Sequence, residues 1–338
     1  TTVTVPAGVT VRADGAGVLE VRATGDVVID GAIDLSGGDG ESPTSPGMDL
    51  SGGGGGHTGR RGFANAGSDG AGSGGGGVGQ GTYGTLVGGR SDARGGVGVA
   101  GGAGGWGYIS SWCSGTRGRA ATGPDGGRNV LGGIMEGGRA WGVPYDGYGG
   151  VAFTSGCSMD PLGERPQANV YTYGVPAGGG SIGRAAALDL GVFTTFRPGS
   201  GGGGGAVNLT TCGPEVPGGG GGGGGGALRV VSDTRIAIGA SGSVRANGGR
   251  GGRNAGAGSG GVIYLSTPAL TTARGAVVEA TAGGVATAPV TGLGRVRLSV
   301  DPSRCVLAGT FNPPLRDGCS PTSNGGTPGY AYVSSWPR

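Results

Sequence analysis

Gly261-Val262-Ile263-Tyr264-Leu265 is the stretch on which the fold turns, because the chain writes it four times. Its other copies are Gly17-Val18-Leu19-Glu20-Val21, Gly226-Ala227-Leu228-Arg229-Val230 and Gly294-Arg295-Val296-Arg297-Leu298. After each glycine, residues two apart are apolar, so their side chains leave a strand on one face. The copies at 17, 226 and 261 are followed by a turn, a second β pair and two glycines. Ala32-Ile33-Asp34-Leu35-Ser36-Gly37-Gly38 and Ser243-Val244-Arg245-Ala246-Asn247-Gly248-Gly249 show this second half, and Ala276–Gly284 matches it loosely. Repeats every ~34 residues are stacked supersecondary units that cannot bury an apolar face alone. The expected class is all-β, a β-solenoid or a layered β-sandwich.

Outward from these copies the same grammar continues. Val3/Val5, Val9/Val11, Leu19/Val21, Val27/Ile29 and Ile33/Leu35 are same-face pairs, with turns at Pro6-Ala7-Gly8, Asp14-Gly15 and Thr24-Gly25-Asp26. Residues 1–41 therefore read as an N-terminal β repeat and residues 227–300 as C-terminal β repeats. Residues 301–338 form a Cys/Pro-rich tail with Asn312-Pro313-Pro314 and a last alternation, Tyr330-Ala331-Tyr332-Val333. Between the repeats, residues 42–226 are a glycine-rich zone that reads as an insertion into one β scaffold. Helical periodicity is absent except for one candidate turn at Ala185–Leu190.

Glycine supplies 93 of 338 residues, while aromatic residues are 5% and charged residues 13%. The usual glycine share is about 7%, so side-chain burial alone cannot order the whole chain. Extended glycine favours a threefold left-handed helix rising about 3.1 Å per residue without internal hydrogen bonds. Each N–H and C=O then needs an outside partner, and neighbouring glycine chains, lacking Cβ, approach closely enough to serve. The nine glycines Gly218–Gly226 would span roughly 28 Å on that rise. A polyglycine-II-like helical bundle over 42–226 is the expected form of the insertion.

The Gly-Gly-x-φ-x-φ repeats with interspersed glycine runs resemble glycine-rich repeat proteins of bacterial surfaces. The runs Gly52–Gly56, Gly74–Gly77, Gly201–Gly205 and Gly218–Gly226 resemble the polyglycine-II sandwich of phage tail-fibre tip adhesins. Those resemblances imply an extracellular structural or receptor-binding role. A glycine-rich antifreeze architecture is a third relative, but no regular threonine face supports it here.

All 24 basic residues are arginine, and the net charge is only +3. The absence of lysine excludes Schiff-base, P-loop-lysine and isopeptide chemistry. Charges alternate instead of forming blocks, so neither nucleic acid nor an anionic membrane is an expected partner. Gly59-Arg60-Arg61-Gly62-Phe63 and Gly248–Arg253 have the form of RGG segments, but these arginines are expected to cap glycine carbonyls or face solvent. No stretch is long enough for a transmembrane helix. The sequence begins at Thr1 with no methionine or signal peptide, as expected of a processed, exported product.

Five widely spaced cysteines, Cys113, Cys157, Cys212, Cys305 and Cys319, with one histidine and no CxxC, argue for disulfides over zinc. Cys305 and Cys319 bracket the proline loop and are the preferred pair, which places the protein in an oxidising compartment. The odd cysteine is free or bonds another subunit. Gly179-Gly180-Ser181-Ile182-Gly183 has the nucleophile-elbow form, but His57, the sole histidine, has no strand–turn–helix context. Asp26, Asp30, Asp34 and Asp39 do not follow the nonapeptide spacing of calcium repeats and read as solvated strand faces. No catalytic residue, metal ligand or cofactor is expected.

Half of the aromatics fall in residues 106–173: Trp106, Tyr108, Trp112, Trp141, Tyr145, Tyr148, Phe153, Tyr171 and Tyr173. They form a contact surface or a local core sealing the glycine bundle, with Trp106, Tyr108, Trp112, Trp141, Tyr145 and Tyr148 the contact candidates. Val3, Val5, Tyr330 and Tyr332 lie in segments able to add a strand to a neighbour's sheet edge. The expected function is a self-assembling, non-enzymatic subunit of a bacterial surface filament or coat. The alternative is an adhesin that binds a glycan or an outer-membrane receptor.

Overall fold

A computed structural model describes residues 1–13, 18–41, 199, 222–252, 258, 260–281, 283, 294–321 and 331–336, together with two short strands at 157–159 and 166–168. The described chain is nearly all β, and its one helical piece is a 3-10 turn at Pro302–Arg304. The strands follow one another as a coil. The first turn of the coil holds β1 (Val3–Val5), β2 (Thr10–Val11) and β3 (Val18–Ala23). The second holds β4 (Val27–Ile29) and β5 (Ala32–Asp34). After the glycine-rich zone, which contains β6 (Cys157–Met159) antiparallel to β7 (Pro166–Ala168), it closes with β8 (Ala227–Ser232).

The third turn is β9 (Ile236–Ile238), β10 (Ser243–Arg245) and β11 (Val262–Ser266). The fourth is β12 (Leu270–Thr272), β13 (Val277–Glu279) and β14 (Arg295–Val300). The fifth is β15 (Cys305–Leu307), β16 (Thr310–Asn312) and β17 (Tyr332–Ser335). Three sheets result, in the orders β1-β4-β9-β12-β15, β2-β5-β10-β13-β16 and β3-β8-β11-β14-β17. Every neighbouring pair within them is parallel, which is the arrangement of a β-solenoid-like coil and not of an antiparallel sandwich.

Register carries the four quoted copies onto one another. Val18, Ala227, Val262 and Arg295 are stacked partners in the third sheet, and Ala32, Ser243, Val277 and Thr310 in the second. The loose third match therefore starts one residue later than the sequence reading placed it, at Val277 and not Ala276. The unit read as two β pairs holds three strands, because Ile236–Ile238 and Leu270–Thr272 are short and follow the first strand after a tight corner. Residues 301–338, set apart as a tail, supply β15 to β17 of the same three sheets.

The core is narrow and aliphatic. Alternate residues of each strand point inward and stack in columns, such as Leu228, Ile263 and Val296, or Val230, Leu265 and Leu298, all at most 1% exposed. Each such side chain contributes about 1.5–3 kcal/mol by leaving water. Three short sheets around one axis need few bulky residues per turn, which is how so glycine-rich a chain builds a core. At the corners leading into the first sheet, short polar side chains satisfy the backbone. The Ser232 hydroxyl donates to the Gly25 carbonyl (2.8 Å) and accepts from the Arg235 N–H (2.9 Å). In the same corner two turns on, Asp301 accepts from the Ser303 N–H at 2.9 Å.

The glycine-rich connections all leave from one corner, between the second and third sheets. Outgoing residues 35–40, 246–252, 280, 281 and 283 lie against incoming residues 222–226, 258, 260, 261 and 294. Donors and acceptors there advance in steps of three. Gly226 and Gly223 donate to the carbonyls of Leu35 and Gly38, and Gly261 and Gly258 to those of Ala246 and Gly249. Gly37 and Gly40 donate to Asn247 and Arg250. Gly199, from the glycine-rich zone, donates to Gly225 at 2.7 Å. The chains touch backbone to backbone: a Cβ on Gly261 would stand 1.8 Å from the Gly226 carbonyl oxygen.

Candidate functional site

Chemistry-bearing residues do not converge in the described structure. No group of three or more His, Cys, Asp or Glu residues among the described residues could hold a metal ion. Asp26, Asp30, Asp34 and Asp39 lie along one turn, and the carboxylates of Asp26, Asp34 and Asp39 bond separately to backbone and neighbouring turns. Asp26 accepts from the Thr234 hydroxyl and the Arg235 guanidinium, both at 2.6 Å, Asp34 from the Ser36 N–H, and Asp39 from the Arg250 N–H at 2.7 Å. His57, Ser181, Arg60, Arg61, Arg253, Cys113, Cys212 and the aromatic segment with Trp106, Tyr108, Trp112, Trp141, Tyr145 and Tyr148 lie outside the described residues. No helix of the described residues is long and apolar enough to cross a membrane.

What the coil brings together instead are ladders, one rung per turn. On the outer face of the third sheet Glu20, Arg229, Tyr264 and Arg297 are in register. Arg229 pairs with Glu20 at 3.4 Å. The guanidiniums of Arg229 and Arg297 stand 6.0 and 5.0 Å from the Tyr264 ring centre, one on the rung before and one on the rung after. Cations over an aromatic face are attracted by its quadrupole. Tyr264 is 4% exposed although it faces outward, and burial pulls the neighbouring Arg295 guanidinium down to about 10. On the second sheet Arg245 pairs with Glu279 at 2.8 Å, and Asn247 donates to the same carboxylate at 2.8 Å. These ladders tie turn to turn. Sequence reading found their residues singly and could not align them, because alignment depends on strand register.

The two ends of the coil differ from its middle and from each other. The partly buried apolar residues on the core are Val3, Val11, Ala13, Leu19 and Val21 at one end, and Cys305, Leu307 and Leu315 at the other. Their column partners in the middle, Val27, Ile33, Leu228 and Val230, are at most 1% exposed. β1, β2 and β3 are the outermost strands of their sheets at the N-terminal end. At the C-terminal end the last strand is not the last layer. Beyond β17, Leu315 forms a parallel bridge with Ala331, whose N–H donates to the Pro314 carbonyl at 2.7 Å. Cys319 closes this loop back onto β15 through a disulfide with Cys305, Cα to Cα 6.0 Å. Val333 and Phe311 are 2% and 8% exposed in the final turn.

Of the strand-donating residues expected from the sequence, Val3 and Val5 lie on the edge strand β1, with Val5 facing the core. Tyr332 lies on the edge strand β17 at the opposite end, and Tyr330 is outside the described residues. The covering of that end by Leu315 had no signal in the alternation pattern. Pro313 and Pro314, bracketed by Cys305 and Cys319, are its trace in the sequence. No family model, no curated protein and no solved structure matches this chain.

Proposed function

We propose that this protein is a non-enzymatic structural subunit of an extracellular filament or coat, assembled through the ends of its coil. The observation that carries the reading is the N-terminal end. There, among the described residues, β1, β2 and β3 each pair on one side only, and Val3, Val11, Leu19 and Val21 are only partly buried. Unpaired sheet edges over exposed apolar columns are templates for another chain's strands. The ladders and the stacked core make a rigid body of the kind expected from repeat architecture. The three-residue hydrogen-bond step at the glycine corner supports polyglycine-II-type packing there, which would extend the scaffold sideways without a side-chain core. The Cys305–Cys319 bond supports an oxidising, extracellular setting.

Electron microscopy with and without reducing agent tests the reading, alongside a variant lacking Thr1–Val5. Filaments in either condition, abolished in the deletion variant while its circular dichroism stays β-type, support end-on assembly. Normal polymers from the deletion variant defeat it. A second reading, an adhesin at the tip of a larger fibre, draws on the covered C-terminal end, which suits a terminal module seated by its N-terminal end. Discrete particles in both conditions and binding on glycan arrays would favour that reading.

A further inference from the structure

We infer that the loop 313–319, held by the Cys305–Cys319 bond, is a cap that stops the C-terminal end of one copy from continuing into the N-terminal end of another. The inference rests on the reading of the N-terminal end as an assembly surface and adds what controls it. Three facts carry it. The strands visit the three sheets in the same cycle through all five turns, beginning in the first sheet with β1 and ending in the third with β17. A second copy set on β15, β16 and β17 by its own β1, β2 and β3 therefore continues the cycle in phase, with parallel pairing in every sheet. The occupant is thus another copy of this chain, joined by the same contact that joins one turn to the next.

The apolar columns match across such a junction. Register runs Val3, Val27, Ile236, Leu270, Cys305 in one column and Val11, Ile33, Val244, Val278, Phe311 in another. The next copy's Val3 and Val11 would extend them over Cys305 and Phe311. Val21 would extend the column of Val230, Leu265, Leu298 and Val333 in the same way.

The cap occupies that position. Leu315 sits against Ala331 on the outer side of β17, where the partner's β3 would pair, and packs on the core. Pro314 brings no N–H to the edge, and Pro313 is buried beneath it. Covering an edge with a loop and proline is a recognised means of preventing edge-to-edge growth. The disulfide, whose cysteines stand 14 positions apart in sequence, holds the loop at the end of the coil by restricting the freedom of the chain it closes. The N-terminal end has no comparable cover among the described residues.

Size-exclusion chromatography with light scattering over a concentration series tests this on the full chain. The protein with its bond intact is expected to stay monomeric. Cys305→Ser with Cys319→Ser is expected at least to double the mean mass at the highest concentration. Adding Thr4→Pro to that variant should restore the monomer. Val3 and Val5 bond to β4 through the Val3 N–H and the Val5 carbonyl, so alternation points the Thr4 N–H to the open side. Leu315→Ser, with the disulfide kept, guards against misfolding of the cysteine variant and should also raise the mass. Folded but monomeric Cys→Ser and Leu315→Ser variants would overturn the cap, as would oligomers that Thr4→Pro leaves untouched. Filaments from the protein with its bond intact would overturn the cap while upholding end-on assembly. If no variant associates and deleting Thr1–Val5 changes nothing, both readings fall together.

Discussion

Gly249 lies so close to Gly38 that a Cβ on it would stand 1.8 Å from the Gly38 carbonyl oxygen. The next turn repeats the relation, with Gly283 set against the carbonyl of Gly249. Both obstacles are backbone, which cannot swing aside as a side-chain end can. Gly249→Ala should therefore force neighbouring glycine segments apart, at a cost of about 1–3 kcal/mol by analogy with overpacked cores. Thermal melting should show the loss, while Thr271→Ala, on an exposed outer face, should stay within about 0.5 kcal/mol of the parent.

Leu228 and Leu19 occupy the same inward column one turn apart. Leu228 is fully buried, so Leu228→Ala should cost about 2–5 kcal/mol through transfer and cavity terms. Leu19 is only partly buried at the open end, and Leu19→Ala in the monomer should cost less than half as much. Urea denaturation of the two variants measures the difference. Equal losses would mean that the N-terminal end is covered.

The two guanidiniums about Tyr264 make a testable coupling. In a double-mutant cycle of Tyr264→Leu and Arg297→Met, the interaction term should be about 0.5–2 kcal/mol, the range for cation–π pairs from exposed to desolvated. A term near zero would leave Tyr264 as simple apolar cover.

Asp26 gives a pH dependence of defined sign. The hydrogen bond from the Thr234 hydroxyl lowers its pKa below the ordinary aspartate value of 3.8; burial opposes this, and the bond and charge of Arg235 add to the lowering. A carboxylate lowered on folding contributes stability that is present above its unfolded value and lost as pH falls through the folded one. Asp26→Asn should thus flatten the acid limb of a melting-temperature profile below that value and leave its shape near neutrality unchanged. An identical acid limb in the variant would remove this corner from the account.

Much of the coil was legible because its signals are local. The pairs Val3/Val5, Val27/Ile29 and Leu19/Val21 mark strands by alternation, and the copies at 226–230, 261–265 and 294–298 fall in register as written. Short strands escaped where the alternation has little room. Ile236–Ile238 and Leu270–Thr272 are three residues each, and Cys305–Leu307 reads as loop because a cysteine and an exposed valine interrupt the pattern. The one-residue slip at Ala276 arose because Ala276 and Val277 are both apolar and either can begin a pair.

Sequence by itself determined that this chain forms short stacked strands with glycine-rich excursions, since period-two alternation and a recurring unit dictate both. Tertiary structure decided how the pieces meet. It placed the strands in three parallel sheets, set Tyr264 between Arg229 and Arg297, and laid Leu315 over the edge of β17. The first two relations join residues from different turns, and the last joins parts of one turn that lie well apart in the sequence. Residue order sets which side chains share a strand face. Only the closing of the coil sets which turns lie in contact, and hence which of its ends stays open.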